Sequence, residues 1–315
     1  MKKKILIATR KSSLALWQAN YVKARLLEAF PDLQIDLLAM LTTADKMSEI
    51  PLNKLGGKGL FVKELEKALL EHKADLAVHS VKDMPFELPA GLVLTATMKR
   101  EDPRDVLVST YDSLAAMPAG ATVGTSSLRR RAQVLAIRPD LTVKPLRGNV
   151  ETRLAKLDAG EFEGIILAAA GLKRLNLIDR IKYYFPVDEI IPAVGQGALG
   201  IECREEDDEL KEMLNFLNDK NTHYCIKAER SFNAKLGGSC QFPIAGHAIL
   251  QNEGLTLTGV VGDLNGTQLL KTQSSSDYLK AEEIGLEAAE NLLAQGAEEI
   301  LQQALIESRL NDTNE

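Results

Sequence analysis

Thr125-Ser126-Ser127-Leu128-Arg129-Arg130-Arg131, running on through Lys144 and Arg147-Gly148-Asn149 to Arg153, decides how the fold is read. It leaves a short apolar run, Ala121–Gly124, that reads as a strand. Leu128–Ile137 then reads as a helix, Leu141–Leu146 as a strand, Val150–Ala159 as a helix and Gly164–Ala168 as a strand. That alternation predicts an α/β lobe. The same stretch is strongly cationic. Arg129, Arg130, Arg131, Arg138, Lys144, Arg147 and Arg153 face only Asp140 and Glu151, a local charge of +5 in a chain of net charge −6. Thr125-Ser126-Ser127 supplies an N-cap, so the arginines fall in the first turn, where cations oppose the helix dipole at about 0.3–1 kcal/mol each. Asn149 starts a second helix between Arg147 and Arg153. A bound anion would turn that penalty into binding energy. The competing reading is a solvated basic face.

Working outward, the N-terminal part repeats the plan. Ile5–Ala8 reads as a strand, Thr9–Ser13 as a turn, Leu14–Ala29 as an amphipathic helix ended by Pro31, and Ile35–Leu41 as a parallel strand. Residues 42–59 read as a polar loop ending in Lys54-Leu55-Gly56-Gly57-Lys58-Gly59. Leu60–Glu71 follows as a helix and Asp75–His79 as a strand, left through Lys82-Asp83. Two lobes of one plan would face each other across a cleft, with ligands beyond the strand C-termini. Arg10, Ser12, Lys82, Asp83, Thr125–Arg130 and Arg147 sit at those ends. Lys99–Arg104 and Pro192–Gly197 read as crossings between lobes, with Gly195 and Gly197 as permissive points. Leu199–Cys203 reads as a strand returning to the first lobe, and Glu205 to about Leu217 as a helix.

The plan changes near Thr222. His223–Leu236 reads as a helix and Gly237-Gly238-Ser239-Cys240 as a loop. Pro243–Leu250, Leu255–Val261 and Gln268–Gln273 form an antiparallel meander across turns at Asn252–Gly254 and Asn265-Gly266. Helices at Leu279–Leu293 and Ala297–Ser308 close the chain. The expected organisation is a first α/β lobe over 1–98 and 198–217, a second over 103–192, and an α+β C-terminal domain over 220–315 with a three-stranded antiparallel sheet.

The totals narrow the classes of function. At 315 residues, 45% hydrophobic and 26% charged, the chain is an ordinary globular one. Its acidic balance argues against a nucleic-acid module. Cys203, Cys225 and Cys240 form neither a disulfide framework nor a zinc pattern, and the four histidines lack metal-ligand spacing. No metal is expected. The N-terminal apolar run stops at Ala8, too short for a signal peptide, and nothing approaches a membrane span. A reducing cytoplasm is the expected setting.

Three positions carry candidate chemistry. Cys240 follows two glycines and a serine. It reads either as a small buried hydrophobe or as an exposed thiol with room for a bulky group. Asp83 reads either as a turn former or as the carboxylate of a cationic cleft. Gly56–Gly59 lacks the P-loop pattern, so it reads as a loop bringing Lys54 and Lys58 over the cleft. Successive helical residues fan by about 100°, so one of Arg129, Arg130 and Arg131 is expected to point elsewhere.

Assembled, these stretches resemble the porphobilinogen deaminase (hydroxymethylbilane synthase) family. The motifs are Ala8-Thr9-Arg10 with Ser12 and Leu14–Gln18; Gly56–Phe61; His79-Ser80-Val81-Lys82-Asp83; Gly124–Arg130; Leu146–Asn149; Pro192–Gly197; and Glu229-Arg230 leading to Cys240. The resemblance implies two lobes like those of periplasmic binding proteins and a third domain carrying the cofactor. It implies a transferase of tetrapyrrole (haem) biosynthesis that joins four porphobilinogen molecules head to tail into hydroxymethylbilane, releasing ammonia. The primer would be a dipyrromethane held by a thioether on Cys240. Lys82, Thr125, Ser127, Arg129 and Arg130 would bind that cofactor. Arg10, Ser12, Arg147, Arg153 and Arg174 would bind substrate, and Asp83 would be catalytic. Lys54 and Lys58 would belong to a mobile loop. Each pyrrole carries an acetate and a propionate, which accounts for an arginine-rich cleft in an acidic protein. The resemblance also implies a monomer, without nucleic-acid or membrane partners. Ser239, Phe242 and Ser13 depart from the usual family residues, the first two beside the attachment cysteine. A two-lobed binding protein and a nucleic-acid reader are the rival readings, and neither would carry a covalent pyrrole.

Overall fold

A computed structural model describes residues 2–46, 62–238, 242–252 and 254–311. The first sheet begins with β1 (Lys4–Arg10), α1 (Ser13–Ala29) and β2 (Gln34–Met40), with β1 and β2 parallel from Lys4↔Gln34 to Arg10↔Met40. Ser12 caps α1 by accepting from the Ala15 amide at 3.4 Å. A short helix α2 (Thr43–Lys46) opens the segment read as loop, because Asp45 accepts from both the amide and the hydroxyl of Thr42. Then come α3 (Lys63–Leu70), β3 (Leu76–Ser80), a 3-10 turn at Val81–Asp83, and β4 (Leu92–Thr97).

The chain then crosses to a second sheet. Its elements are β5 (Asp105–Ser109), β6 (Thr122–Gly124), α4 (Leu128–Ile137), β7 (Thr142–Lys144), α5 (Val150–Asp158), β8 (Gly164–Ala168), α6 (Ala169–Arg174) and the two-residue β9 (Tyr183–Tyr184). It returns through β10 (Leu199–Arg204), which inserts between β3 and β4, and continues into α7 (Asp208–Leu214).

The sheets share one plan. Their orders, β2-β1-β3-β10-β4 and β7-β6-β8-β5-β9, correspond strand for strand in pairing sense, and both put two parallel pairings before two antiparallel ones. The fourth strand of each sheet is reached by a crossing, so the two crossings run side by side between the lobes. The expected doubling of the α/β plan is therefore present in the strand order. Strands β4, β5 and β9 and helix α6 were not read from the sequence. Asp105–Ser109 is buried on both faces, which erases the alternation that marks a half-buried strand.

Apolar stripes seal each layer. Ile5, Ile7, Val22, Leu26 and Ile201 pack between the first sheet and helices α1 and α7; Leu65, Leu69 and Ala77 lie on its α3 face. Each such large side chain contributes about 1.5–3 kcal/mol of burial. The second sheet has a core on either face, around Val123 and Phe185 and around Ile165 and Leu172.

The last part contains α8 (Lys220–Lys235), strands β11 (Ile244–Gln251), β12 (Gly254–Gly262) and β13 (Leu269–Asp277), and helices α9 (Ala281–Leu293) and α10 (Ala297–Asn311). The strands form a three-stranded antiparallel meander, as expected, covered by α8 and α9 around Phe232. Helix α8 starts three residues before its expected start, because Asp219 caps it through the Thr222 amide at 2.8 Å.

Candidate active site

The C-terminal ends of β1, β3, β6 and β7 open into one cleft, as the α/β plan dictates. Its main hollow, about 1950 Å³, is walled by Arg10 and Ser12 after β1, Lys82 and Asp83 after β3, and Arg147 and Arg153 around the start of α5, with Arg174 from α6. A second hollow of about 1100 Å³ is lined by Thr125, Ser127, Arg129 and Arg130, and from the last domain by Arg230, Asn233 and Phe242. Lys82, Asp83, Arg130 and Arg153 face both. A third hollow, about 400 Å³, is lined by Arg10, Ser12, His79 and Asp83. Asp83 alone among the expected site residues borders all three. Cys240, Lys54 and Lys58 lie outside the described residues.

Local structure holds each group in place. Ser127 caps α4 by accepting from the Arg130 amide at 3.4 Å, and Thr125 Oγ1 accepts from the Ser127 amide at 3.1 Å. Ser126 Oγ bonds both the amide and the carbonyl of Leu146 at 3.0 Å, tying the start of α4 to the segment after β7. Asn149 caps α5 through the Thr152 amide at 2.8 Å, and Arg153 Nε donates to Gly148 O at 2.8 Å. Arg174 Nη2 donates to Gly197 O at 2.8 Å, and its guanidinium stands 5.9 Å from the Trp17 ring centre, so it joins α6 to α1 and to the second crossing.

The dipole conflict at α4 is resolved from inside the protein. Asp105, buried at the head of β5, accepts from Arg129 Nη1 at 2.7 Å and from Arg130 Nη2 and Nε at 2.7 and 3.0 Å. Arg129 also donates to Ile191 O, and Arg130 to Ile166 O. Burial alone would raise the Asp105 pKa, but the two guanidinium groups hold it well below the usual carboxylate range. Part of the negative charge that the first turn of α4 calls for is therefore Asp105, a partner that neither reading of the sequence included. Arg131 points elsewhere, donating to Leu264 O at 2.8 Å in the last domain. Arg10 is likewise paired, with Asp45.

Gln196 links this cluster to the site. Its Nε2 donates to Pro103 O at 2.7 Å and Asp105 Oδ1 at 3.0 Å, leaving Oε1 to accept from Lys82 Nζ at 3.5 Å. Burial lowers the Lys82 pKa to about 8, Asp83 opposing and Arg130 adding to the shift. Burial likewise lowers Arg153 and Arg174 to about 10. Gly195 and Gly197 have φ of +74° and +89°, and a Cβ at either would stand 2.6 Å from Val81 Cγ1 or 2.3 Å from Glu101 O. The second crossing can therefore press against both the Val81–Asp83 turn and the first crossing. Glu229 fastens this junction to α8: it accepts from Arg100 Nη1 at 2.5 Å and from the amides of Gly195 and Ala248 at 2.7 and 2.8 Å. Burial would raise its pKa, but Arg100 and His247 bring it to about 2.

Asp105 and Asp45 went unnoticed in the sequence, and Gln196 and Glu229 were read only as parts of motifs, with no role assigned. Asp105 had one visible signal, a lone carboxylate heading the apolar run Val106–Val108 directly after a crossing.

The family profile described as "Porphobilinogen deaminase, dipyromethane cofactor binding domain" matches residues 5–212, and "Porphobilinogen deaminase, C-terminal domain" matches residues 223–294. The chain belongs to the porphobilinogen deaminase family. Its function is accordingly the polymerisation of porphobilinogen into hydroxymethylbilane with a dipyrromethane cofactor, in tetrapyrrole biosynthesis. The chain is also similar to several solved structures. The periplasmic aliphatic sulphonate binding protein SsuA from Escherichia coli is 14% identical, with a TM-score of 0.42 over 74% of this chain and 70% of that one. The methionine binding protein MetQ is 11% identical, at 0.45 over 70% and 92%. The Bordetella pertussis BvgS VFT2 domain is 14% identical, at 0.41 over 68% and 85%. Among the described residues, no helix is long and apolar enough to cross a membrane.

The residues fit the porphobilinogen deaminase cofactor. A dipyrromethane bears carboxylates on each ring, and the second hollow offers Lys82, Arg129, Arg130, Arg153 and Arg230. Phe242, two residues beyond Cys240, lines that same hollow.

Proposed function

We propose that this cleft carries out hydroxymethylbilane synthesis, an aryl/alkyl transfer, with Asp83 as its catalytic carboxylate and Cys240 as the thioether anchor. Four porphobilinogen molecules are added in turn, each releasing ammonia. The observation that carries the reading is the position of Asp83 between the arginine-walled main hollow and the hollow that Phe242 enters. The bound dipyrromethane supplies the ring carbon to which the first substrate is joined. Lys82, Arg129, Arg130, Thr125 and Ser127, which line the second hollow, would hold its carboxylates. Arg10, Ser12, Arg147, Arg153 and Arg174 hold the incoming substrate, each charge-assisted contact contributing about 1.5–3 kcal/mol.

Asp83 has two tasks. It stabilises the cation left on the substrate when ammonia departs, and it passes protons. One goes to the leaving amine; another is taken from the ring carbon after the new bond forms. The exchange balances: the protonated amine leaves as ammonia when its C–N bond breaks, and the ring proton freed when the new C–C bond forms restores the proton that Asp83 gave up. Asp105 holds Arg129 and Arg130 in place along the wall of the hollow, so their charge is positioned without reorganising, which is the property that electrostatic catalysis requires. The working units are 1–98 with 198–217, 103–192 and 220–315, in a cytoplasmic monomer without a nucleic-acid partner.

The test is an intact mass of the purified protein beside Cys240→Ala. The expected result is a parent heavier than its sequence by two linked pyrrole units and a variant at its sequence mass. A parent that stays at sequence mass even after incubation with porphobilinogen would overturn the reading in favour of a two-lobed anion-binding protein.

A further inference from the structure

Behind the cleft wall, between the first sheet and α3, lie three titratable side chains in apolar surroundings. Glu202 on β10, His79 on β3 and Glu66 on α3 are all buried. His79 Nε2 stands 2.8 Å from Glu202 Oε2. Glu66 Oε1 and Glu202 Oε1 are buried without a hydrogen-bond partner. Around them pack Leu65, Ala68, Leu69 and Ala77. Apolar side chains would stabilise such a layer at least as well, so the fold alone does not call for this cluster.

The charged groups acting on Glu66 are Glu202, His79 and Lys63; Glu202 also faces Arg230 of α8. Two carboxylates this deeply buried and electrostatically coupled do not both ionise freely, so one retains a proton. Glu66 is the holder: burial foremost, then Glu202, raises its pKa to about 7. His79 connects the cluster to the site, because it lines the hollow shared by Arg10, Ser12 and Asp83.

We propose that Glu66, His79 and Glu202 act as a positioning cluster for the cleft, and that the cluster favours binding of the anionic pyrrole substrate while Glu66 carries its proton. The inference rests on the reaction proposed above. Loss of the proton adds a negative charge behind the wall carrying Arg10 and Asp83. That charge competes with substrate carboxylates for the cleft cations and loosens the seat of α3 on the sheet. Glu66 and Glu202 border none of the three hollows, so they act through His79.

The test compares kcat/KM for porphobilinogen in wild-type holoenzyme and Glu66→Gln from pH 6 to pH 9. Gln mimics the protonated carboxyl, so the two should match at pH 6. The ratio of variant to wild type should climb through pH ~7 and level off at roughly 3- to 10-fold, the scale of one partly screened charge. Glu202→Gln removes a neighbour that raises Glu66, so in that background the rise should move below pH 7. A ratio flat from pH 6 to pH 9 would overturn the cluster's role, even if the pH dependence of thermal melting changed, since that would make it a feature of folding only. Absence of wild-type turnover at every pH would overturn the reaction itself, an outcome distinct from a flat ratio.

Discussion

Arg130 grips Asp105 with two nitrogens, Nη2 at 2.7 Å and Nε at 3.0 Å, inside the wall of the cleft. The carboxylate belongs to the strand that follows the first crossing, and the guanidinium to the helix that opens the second lobe's site. The pair therefore fixes a cationic surface to the end of the first crossing. It also explains how a cation tolerates the N-terminal turn of α4, where the dipole opposes it.

Asp105→Ala should be severely destabilising. It leaves two buried guanidinium groups without their common anion, a change that typically costs about 3–5 kcal/mol. Urea unfolding at pH 7 measures it. The sign with pH follows from the depressed carboxyl. Its folded pKa lies below the unfolded one, so its stabilisation is present above pH ~4 and is lost on acidification. Asp105→Asn should remove that part of the acid sensitivity. Equal stability of wild type and Asp105→Ala would refute a bracing role.

Lys82 should impose an alkaline limit on turnover. With its pKa near 8, the ammonium is present below that pH and is lost above it. Its contact with pyrrole carboxylates disappears in the same range, so kcat/KM should fall above pH 8. Lys82→Arg, which stays charged, should move that limb upward. For stability the sign is opposite. The folded pKa lies below the unfolded value, so stability rises between pH ~8 and ~10.5 as the buried charge is shed. Lys82→Met should consequently melt no lower than wild type at pH 7 while losing activity. A lower melting temperature together with an unmoved pH limb would contradict both halves.

The parts legible in the sequence were those with a local signal. Leu128–Ile137 carries a cap and a helical period, and its helix has those bounds. Gly164–Ala168 is a short apolar run between turn residues, and β8 has those bounds too. The doubled plan could be read because each lobe repeats a strand, a Ser-rich cap and a helix. What could not be read depended on partners far along the chain. Asp105 meets Arg129 and Arg130 only after the crossing, whereas the return of Leu199–Cys203 to the first lobe could be read because an apolar run follows the glycines of the second crossing. The cationic site residues were visible as a charge anomaly, but which of their donors are already engaged is a tertiary property. Glu202 shows the same limit, since its neighbours in sequence do not reveal that His79 and Glu66 lie against it.

Gly197→Ala should loosen the junction of the crossings. The new Cβ would stand 2.3 Å from Glu101 O, at a φ of +89° that alanine rarely adopts. Strain of this kind costs about 1–3 kcal/mol before the clash is added. Because Arg174 bonds the Gly197 carbonyl, the same change should also raise KM. Thermal melting and KM measured on one preparation would check both. A change in neither would show that the crossing shifts without consequence.

Asp83→Asn provides the sharpest separation of chemistry from folding. The side chain is only partly buried and sits on a 3-10 turn, so the isosteric amide should leave the melting temperature nearly unchanged. Turnover should collapse. Proton transfer by a positioned carboxylate is worth about 10²–10⁴ in rate. If kcat falls within that range, proton passage accounts for the whole role. If it falls further, the excess measures the attraction between the carboxylate and the cation formed when ammonia departs. Asp83→Glu refines the division: it keeps charge and acidity but moves the oxygens by about one bond, so it should recover part of the charge effect and little of the proton transfer, whose geometry is stricter. Steady-state kcat and KM for the three proteins, each first checked by mass for its bound pyrroles, decide the matter. An Asp83→Asn variant that is fully loaded and turns over within tenfold of wild type would remove Asp83 from the chemistry and turn attention to Lys82, its neighbour on the same turn.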